Sequence, residues 1–555
     1  MDGINQLMDA KTRADYRARG MWVPNPGPQE LALLLSQDPS IFEIHYGGAR
    51  GGGKTDEGMA ALAPVLTNNR LRALTIRKNA DDLADWVDRA RRMFKPFGAV
   101  LAGKPVVGKM TSGALIRTGH LKDDDAYTKY QGQEYQRMTI EELTQINSEK
   151  RYLMLIASCR STVPGLWAQV HSNSNPGGVG HLWVKKRFID PDPEICDVEE
   201  REYAYINQYG VEQVCHYKII TERETGMKRA FIPATIDDNP VLKDNDPNYV
   251  RQLDSLKQSD PELWKAWRLG DWNIFAGQVF KEWRPTLNNA PYHVIPSVPT
   301  YINPEDGQYH SVLENCQLYA ALDWGYNDAF SCHWIAVTPE DSTGVRRYYV
   351  YRELTGSEKR PKEWAREIAE IVNNEPIEWL AMPHDTYNNT GGTRPIEQQF
   401  REAFDEYALE RDANGSLLHP RFSISMVYGE AKSHNSKINR QALLHEVLAE
   451  APDGLPYLQV TENNRRLIET LPSLPYDDKK VEEIDADAED HYYDSLTYGL
   501  YKIFGGKAFV PKSERIEQTQ QTFAVDNQGN TVGLHVDIGR ALRESTENDQ
   551  DWRYL

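Results

Sequence analysis

The sequence predicts an α/β protein of two domains, and three observations carry this prediction. First, strand-like and helix-like segments alternate in the N-terminal part: an apolar run at 41–44, a helix from 57, a strand at 71–78 and a helix at 81–94. Such alternation is typical of a parallel sheet whose strands are joined by crossover helices. Second, a new run of strand-like segments begins at Leu318, after a stretch rich in proline. Third, 555 residues are enough for two or three domains that each bury a core.

The predicted domain boundaries follow changes in composition. Prolines become frequent between residues 277 and 315, and we expect a linker there, because domains are joined by exposed segments with few contacts. The acidic, aromatic stretch 191–227 shows no clear periodicity and suits an insertion. The mixed charges of the first 23 residues suit a partly ordered arm. The predicted order is an arm (1–23), a first domain (24–276), a linker (277–315), a second domain (316–505) and a tail (506–555).

Composition argues against several classes of protein. The formal net charge of -19 disfavours a protein that coats nucleic acid unspecifically, because phosphate contacts need clustered Lys and Arg, although a local basic groove is compatible with it. The sequence contains no uninterrupted apolar run of about 18 residues, so it predicts no membrane span. The N-terminus lacks the pattern of a secretory signal. The 5 cysteines lack C-x-x-C spacing, which favours reduced thiols in a cytoplasm over disulfides or a zinc site.

The most specific motif is a phosphate-binding loop between the first predicted strand and helix. Gly48, Gly53, Lys54 and Thr55 fit the pattern G-x-x-x-x-G-K-[ST]. Glycines let successive backbone N–H groups turn toward phosphates, and the following helix adds the positive end of its dipole. Lys54 would reach the β and γ phosphates of ATP, and the Thr55 hydroxyl would bind Mg²⁺. The alternative, a flexible glycine loop without a ligand, is disfavoured by the strand–loop–helix context.

Two adjacent carboxylates follow the predicted strand at 137–140. A P-loop ATPase needs two acids at such a strand end, one to orient the Mg²⁺ shell and one to polarise the attacking water. Glu141 fits the first role and Glu142 the second. The competing interpretation of this pair is a solvated turn.

Three further signals lie around this predicted ATPase centre. Asn175 follows a predicted strand, where a small amide can sense the γ-phosphate, whereas the segment by itself is better explained as an ordinary Asn-Pro-Gly-Gly turn. Gln29 precedes the P-loop and is either an adenine contact or an ordinary exposed side chain. Trp264, Trp267 and Trp272 share a helix-like segment, and we interpret them as core instead of a nucleotide-stacking surface.

The second domain contains a candidate metal site. Asp323 and Asp385 lie near the ends of two predicted strands, and Asp494 lies near the start of a late helix, so the order of elements brings all three to one end of a sheet. Three such carboxylates can hold the pair of divalent ions, Mg²⁺ or Mn²⁺, that clamps the attacking and leaving oxygens in phosphodiester hydrolysis. His491, one turn before Asp494, could be a further ligand or a proton carrier. Each acid taken alone is also explained as a cap.

Together these motifs resemble those of the large terminase subunit of tailed bacteriophages. The resemblance implies a RecA-like P-loop ATPase domain followed by an RNase H-like, metal-dependent nuclease domain. It makes Arg50 a candidate transition-state or sensor arginine and Asn175 part of a coupling segment. Glu141 departs from the family, which usually has aspartate there. The resemblance covers roughly residues 20 to 505 and rests on the order of the P-loop, Ile140-Glu141-Glu142-Leu143-Thr144, Ser172-Asn173-Ser174-Asn175-Pro176, Leu322-Asp323-Trp324-Gly325, Asp385 and His491-x-x-Asp494.

The resemblance also implies a function. An ATP-driven motor would translocate double-stranded DNA into a procapsid and cleave concatemeric DNA by metal-dependent hydrolysis. Its partners would be double-stranded DNA, the portal protein and procapsid, and the terminase small subunit, and during packaging it would form a ring of identical subunits. It would act in the bacterial host cytoplasm, transiently at the portal vertex, without a membrane. The alternatives are a helicase-nuclease or DNA-repair ATPase without capsid partners, and a non-enzymatic nucleotide switch.

Overall fold

The computed structural model forms two compact units, an N-terminal unit of Met1–Val279 with Pro472–Asp490 and a C-terminal unit of Phe280–Leu471 with His491–Leu555. The domain boundaries predicted above stay a prediction. The residues that the structure describes are 8–122, 124–274, 278–303, 307–326, 329–373, 375–388, 394–430, 436–477, 483–486, 488–505, 523–525 and 531–533.

A ten-stranded sheet forms the centre of the N-terminal unit. Its strands are β1 (Ile41–Gly48), β2 (Arg72–Arg77), β3 (Val100–Ala102), β4 (Val107–Lys109), β5 (Leu115–His120), β6 (Arg137–Ile140), β7 (Gln169–Ser174), β8 (Cys196–Ile206), β9 (Glu212–Glu222) and β10 (Lys228–Ala234). They lie in the order β3-β4-β5-β2-β6-β7-β1-β10-β9-β8. The run from β5 to β10 is parallel, and the strands at both edges pair antiparallel.

The strand order places the P-loop beside the acids. The strand β1 runs into the glycine loop and β6 runs into the glutamate pair, while β7 lies between them and pairs with both. Because parallel strands end at one edge of a sheet, all three segments meet there. A P-loop strand separated from the acid strand by one inserted strand is the order of a RecA-like sheet, so the predicted fold of this unit is confirmed.

Apolar residues cover both faces of this sheet. Adjacent residues of β2 alternate between two clusters: Leu74 packs with Met138 and Val170, whereas Ala73 packs with Met59 and other residues. This period of two is expected for a strand buried on both sides. The helices of the unit are α1 (Ala10–Ala18), α2 (Pro28–Leu35), α3 (Lys54–Ala60), α4 (Ala84–Met93), α5 (Asp124–Thr128), α6 (Glu149–Ile156), α7 (His181–Val184), α8 (Pro240–Asn245), α9 (Pro247–Ser259) and α10 (Pro261–Trp264).

The stretch 191–227, interpreted above as an insertion without periodicity, is in fact a long hairpin of β8 and β9 that extends the sheet. Its alternation is hidden in the sequence because most side chains of β8 are exposed on both faces. Only Tyr203 and Tyr205 alternate as buried residues near its end, and a pattern of two is too short to predict a strand of this length.

A seven-stranded mixed sheet forms the centre of the C-terminal unit. The strands of the unit are β11 (Thr286–Leu287), β12 (Ala290–Pro291), β13 (Val294–Ile295), β14 (Thr300–Ile302), β15 (Tyr309–Ser311), β16 (Gln317–Asp323), β17 (Phe330–Val337), β18 (Tyr348–Gly356), β19 (Ile377–Met382), β20 (Met426–Tyr428) and β21 (Leu458–Thr461). The sheet has the order β13-β21-β18-β17-β16-β19-β20. Its central part, with β16, β17 and β18 antiparallel and β19 and β20 parallel to β16, has the order of an RNase H-like sheet, which confirms the prediction.

The last described helix of this unit, which carries Asp494, packs on the sheet. The helices of the unit are α11 (Pro361–Val372), α12 (Ile396–Ala408), α13 (Ser436–Leu448), α14 (Arg465–Thr470) and α15 (His491–Ile503). In α15, a Cβ at Gly499 would lie 2.6 Å from Cδ1 of Ile335 and 3.0 Å from Cβ of Ala321, so glycine permits close packing of α15 on the sheet.

Two short strands, β22 (Phe523–Val525) and β23 (Thr531–Gly533), pair antiparallel in the tail, most of which lies outside the described residues. Across the described ranges, no helix combines the length and apolar character needed to cross a bilayer.

Candidate active sites

The P-loop lysine is held by oxygen atoms at the end of the sheet. Nζ of Lys54 donates to the carbonyl oxygen of Ala49 at 2.6 Å and to Oδ1 of Asn175 at 2.7 Å. Burial lowers the pKa of Lys54 to about 8. Glycine is required at the start of the loop, because a Cβ at Gly48 would lie 2.3 Å from the carbonyl oxygen of Ala234. Gly53 has a φ of 73°, in the left-handed region that favours glycine.

The first acid of the pair contacts the P-loop threonine. Oγ1 of Thr55 donates to Oε2 of Glu141 at 2.9 Å. The other oxygen, Oε1, is buried without a hydrogen-bond partner among the described residues. Burial raises the pKa of Glu141 to about 7. A hydroxyl and an unsatisfied carboxylate oxygen at the P-loop are ligands that Mg²⁺ accepts, so Thr55 and Glu141 fit the predicted magnesium site.

The second acid is held in an unusual backbone conformation. Glu142 has φ 52° and ψ 59°, in the left-handed region, where a non-glycine residue costs about 1–3 kcal/mol and is found at functional sites. Its backbone N–H donates to Oδ1 of Asn173 at 3.2 Å. Nδ2 of Asn175 donates to the carboxylate at 3.4 and 3.5 Å. These contacts hold the carboxylate on the P-loop side of the sheet.

Asn175 therefore joins the lysine to the acid. Its amide oxygen accepts from Lys54 and its amide nitrogen lies against Glu142. The structure thus brings together Lys54, Thr55, Glu141, Glu142 and Asn175, as predicted from their order in the sequence. The coupling role of Asn175 stays a prediction.

Replacing Glu142 with Gln is expected to lower the turnover number for ATP by roughly 10²–10³-fold, because the neutral amide cannot polarise the attacking water. Nucleotide affinity should change little, because Lys54 and the glycine loop are untouched. Steady-state hydrolysis and ADP titration would measure the two effects. The exposed control Glu262→Gln should retain turnover; normal turnover by Glu142→Gln would remove this residue from catalysis.

Two other predicted nucleotide contacts have protein partners. Gln29 is 3% exposed, donates from Nε2 to the carbonyl oxygen of Gly53 at 2.9 Å and accepts from the N–H of Asn25 at 2.6 Å. It braces the P-loop, and its contact with adenine stays a prediction. Arg50 is exposed overall, its guanidinium lies 3.3 Å from the centre of the Trp267 ring, and partial desolvation lowers the pKa of this arginine.

Sequence reasoning missed a buried histidine pair beneath the P-loop. Nε2 of His171, on β7, lies 2.5 Å from Oε2 of Glu57 on α3. On β1, His45 contacts Ser172 at 3.0 Å and Ser174 at 3.2 Å. The sequence carries no motif for these contacts, since each joins residues more than 110 positions apart.

Because two histidines are buried, we expect the protein to lose stability in acid. Burial lowers the pKa of His45 and of His181 to about 3, from an ordinary value of 6.5. Between these values the unfolded chain binds more protons than the folded chain, so the free energy of unfolding should fall as the pH falls from 6.5 toward 3. Denaturant titrations at several pH values should show a slope of about 1.4 kcal/mol per pH unit for each histidine. His181→Asn should reduce the slope, whereas the exposed control His216→Asn should not; equal slopes would contradict the prediction.

In the C-terminal unit, two of the three predicted acids each contact a basic side chain. Oδ2 of Asp323 lies 2.9 Å from Nδ1 of His491, and Oδ1 of Asp494 accepts from Arg440 at 2.7 Å. Burial is the main cause that raises the pKa of Asp323 to about 6; the hydrogen bond with His491 opposes this shift, and the charges of Asp494 and Asp385 contribute to it. The three acids are therefore near enough to interact electrostatically. Asp385 is exposed in the short turn after β19.

The sequence allows Arg440 to be part of a local basic patch beside the acids or of a solvated helix face, and in the structure it contacts Asp494 directly. It is 1% exposed, donates to Oγ1 of Thr497 at 2.7 Å and lies 3.3 Å from Oε2 of Glu430. Its guanidinium also lies 4.4 Å from the centre of the Tyr498 ring. Arg440 thus balances the charge of Asp494 from within the core. Its signal in the sequence is weak, because a single arginine on α13 resembles any solvated helical residue.

The predicted nuclease metal site is only partly assembled. Carboxylates have the oxygen ligands that Mg²⁺ and Mn²⁺ prefer. Within the described ranges, however, no three His, Cys, Asp or Glu side chains are grouped closely enough to hold a metal ion. Metal binding by Asp323, Asp385 and Asp494 therefore stays a prediction.

Comparison with known proteins adds a family to this geometry. Residues 109–271 match the family model described as phage terminase large subunit. The matched range contains both glutamates and Asn175. This part of the chain is similar to the large subunit of phage terminases. The matched segment begins after the P-loop and ends just after Trp267, so it includes β6 and β7. No curated protein sequence matches the chain.

Solved terminase structures show distant similarity to the chain. The large terminase of a thermophilic bacteriophage is 14% identical with a TM-score of 0.33, over 87% of this chain and 100% of that one. The P22 large terminase nuclease domain is 16% identical with a TM-score of 0.28, over 41% and 93%. The bacteriophage Phi-29 genome packaging motor is 12% identical with a TM-score of 0.30, over 59% and 80%. At these TM-scores the similarities carry no argument, and the fold class rests on the strand orders given above.

Proposed function

We propose that the chain is an ATP-driven motor that moves double-stranded DNA into a viral procapsid and cleaves concatemeric DNA. The observation that carries the proposal is the bridge made by Asn175 between Lys54 and Glu142, because it joins the P-loop to the acid strand of a terminase segment. A P-loop alone would support any nucleotide-binding protein.

In the proposed ATPase reaction, Lys54 binds the β and γ phosphates and Glu142 polarises the attacking water. Thr55 and Glu141 would hold Mg²⁺, which supplies charge stabilisation for the phosphoryl oxygens. Asn175 contacts both the lysine and the catalytic acid. A change in the bound phosphate would therefore alter the contacts of Asn175 at the end of β7. That strand end is where hydrolysis would be coupled to movement.

In the proposed nuclease reaction, Asp323, Asp385 and Asp494 would hold Mg²⁺ or Mn²⁺, which would stabilise the attacking and leaving oxygens of the phosphodiester. His491 is placed to exchange a proton with the carboxylate of Asp323, since their side chains are in contact. The raised pKa of Asp323 makes this carboxyl easier to protonate than that of an ordinary aspartate.

The proposed partners follow from this activity. They are double-stranded DNA, the portal protein and procapsid, and the terminase small subunit, with a ring of identical chains during packaging. The proposed location is the host cytoplasm and, transiently, the portal vertex.

A comparison of stimulating partners tests the proposal. ATP hydrolysis by the purified chain should rise when procapsids bearing the portal and double-stranded DNA are added together, compared with DNA alone. The alternative, a helicase-nuclease or repair ATPase, predicts unwinding of a duplex by the isolated chain without procapsids. Unwinding combined with no response to procapsids would overturn the packaging function.

A further inference from the structure

The segment after α10 lies directly on the P-loop. The π-helical turn Lys265–Leu269 is followed by Gly270, whose φ of 71° is in the left-handed region. A Cβ at Gly270 would lie 2.6 Å from the backbone nitrogen of Ala49 and 3.0 Å from Cα of Gly48. Only glycine therefore allows this turn to approach the P-loop backbone so closely.

Within this turn, Trp267 makes two contacts with Arg50. The backbone N–H of Arg50 donates to the carbonyl oxygen of Trp267 at 2.8 Å. The guanidinium of Arg50 lies 3.3 Å from the centre of the indole ring, a cation–π geometry. One contact fixes the backbone of Arg50 and the other fixes its charged group. Both the backbone and the guanidinium of Arg50 therefore contact the same tryptophan.

The turn itself is anchored to the rest of the unit. Arg268 donates to Oδ2 of Asp237 at 2.7 Å and to Oδ1 of Asp254 at 3.1 Å. The position of Trp267 is therefore set by packing and ion pairs outside the nucleotide site. Such support is what a platform for another side chain requires.

Arg50 is held close to the reacting groups. Its positive charge lowers the pKa of Lys54, although burial is the main cause of that shift, and the charge of Glu142 raises the pKa of Arg50 against the effect of burial. The guanidinium of Arg50 is therefore within electrostatic range of both Lys54 and Glu142. The indole of Trp267 contacts the guanidinium of Arg50, so the position of the guanidinium depends on this ring.

We propose that Trp267 is a positioning residue for ATP turnover, a platform that holds the Arg50 guanidinium beside Glu142 and Lys54. This inference rests on the proposed ATPase function and adds to it a residue that no phosphate-loop pattern contains. It also revises the interpretation of the three tryptophans. Trp272 is buried in the core as expected, whereas Trp267 is only partly buried and carries an arginine.

A pair of similar substitutions separates the platform from the volume of the ring. Trp267→Phe keeps an aromatic face, whereas Trp267→Leu keeps apolar volume without one. We expect Trp267→Phe to retain at least about half of the wild-type turnover number, and Trp267→Leu to lose roughly tenfold, with KM for ATP changed less than about threefold. Equal losses in both variants, or a loss confined to KM, would overturn the proposal.

A double-mutant cycle tests whether Trp267 acts through Arg50. In an Arg50→Ala background, adding Trp267→Leu should cause little further loss of turnover, because the group that the platform holds is gone. A full tenfold further loss would show an independent role and overturn the proposal.

The thermal midpoints of the same four proteins give a second readout that needs no turnover. Non-additive shifts are expected, and additive shifts contradict a contact between the two side chains. If the wild type hydrolyses no ATP, the proposed function fails and the role of Trp267 in turnover fails with it, whereas non-additive midpoints would still show that Trp267 and Arg50 interact. If the wild type does hydrolyse ATP and the midpoints are additive, only the inference about Trp267 fails.

Discussion

Replacing Lys54 with Ala is expected to lower kcat/KM for ATP by roughly 10³-fold, because a buried ammonium that contacts the phosphates is lost. The structure supports this size of effect. Nζ of Lys54 is buried and aligned by Ala49 and Asn175, so its position is fixed before a nucleotide binds. Lys54 therefore loses little side-chain conformational entropy when a nucleotide binds, whereas a flexible lysine would lose more.

The same substitution should leave metal-dependent DNA cleavage unchanged, because Lys54 and Asp323 lie in different compact units. ATP hydrolysis and plasmid cleavage with Mn²⁺, measured on one preparation, would test this separation. The exposed control Lys109→Ala should retain both activities. Loss of both activities in a folded Lys54→Ala protein would show that the sites are not separable.

Replacing Asp323 with Asn should have the opposite result: loss of cleavage by roughly 10³-fold with ATP turnover retained. Asparagine keeps the size of the side chain and removes the charge that a divalent ion needs. The change also alters the contact with His491, whose Nδ1 lies 2.9 Å from Oδ2 of Asp323.

Cleavage of supercoiled plasmid in the presence of Mn²⁺ would measure the effect of Asp323→Asn, and the thermal midpoint would show whether the unit stays folded. The control Asp405→Asn lies on the exposed side of α12 and should cut normally. Unchanged cleavage by Asp323→Asn would exclude Asp323 from the nuclease centre.

Local motifs were sufficient to predict that the P-loop and the two glutamates lie together. The P-loop, Glu141 and Glu142 each follow a predicted strand, and parallel strands bring their ends together without further information. The RecA-like and RNase H-like sheets followed from the family resemblance, and the strand orders agree with both.

Residues that act through packing could not be predicted in this way. Arg440, on α13, contacts Asp494, which lies 54 positions further along the chain. Trp267 contacts Arg50, although the two residues are far apart in the sequence. Neither contact has a fixed spacing, because each depends on how separate elements pack. The hairpin of β8 and β9 was missed for a related reason, since exposed strands lose the alternation that reveals buried ones.

Anomalous diffraction from crystals grown with Mn²⁺ and a non-hydrolysable ATP analogue tests the two-centre account most directly. The account predicts one manganese peak between the analogue, Thr55 and Glu141, and at least one more beside Asp323 and Asp494. An analogue bound away from Lys54, or crystals whose manganese peaks avoid both pairs of residues, would contradict it.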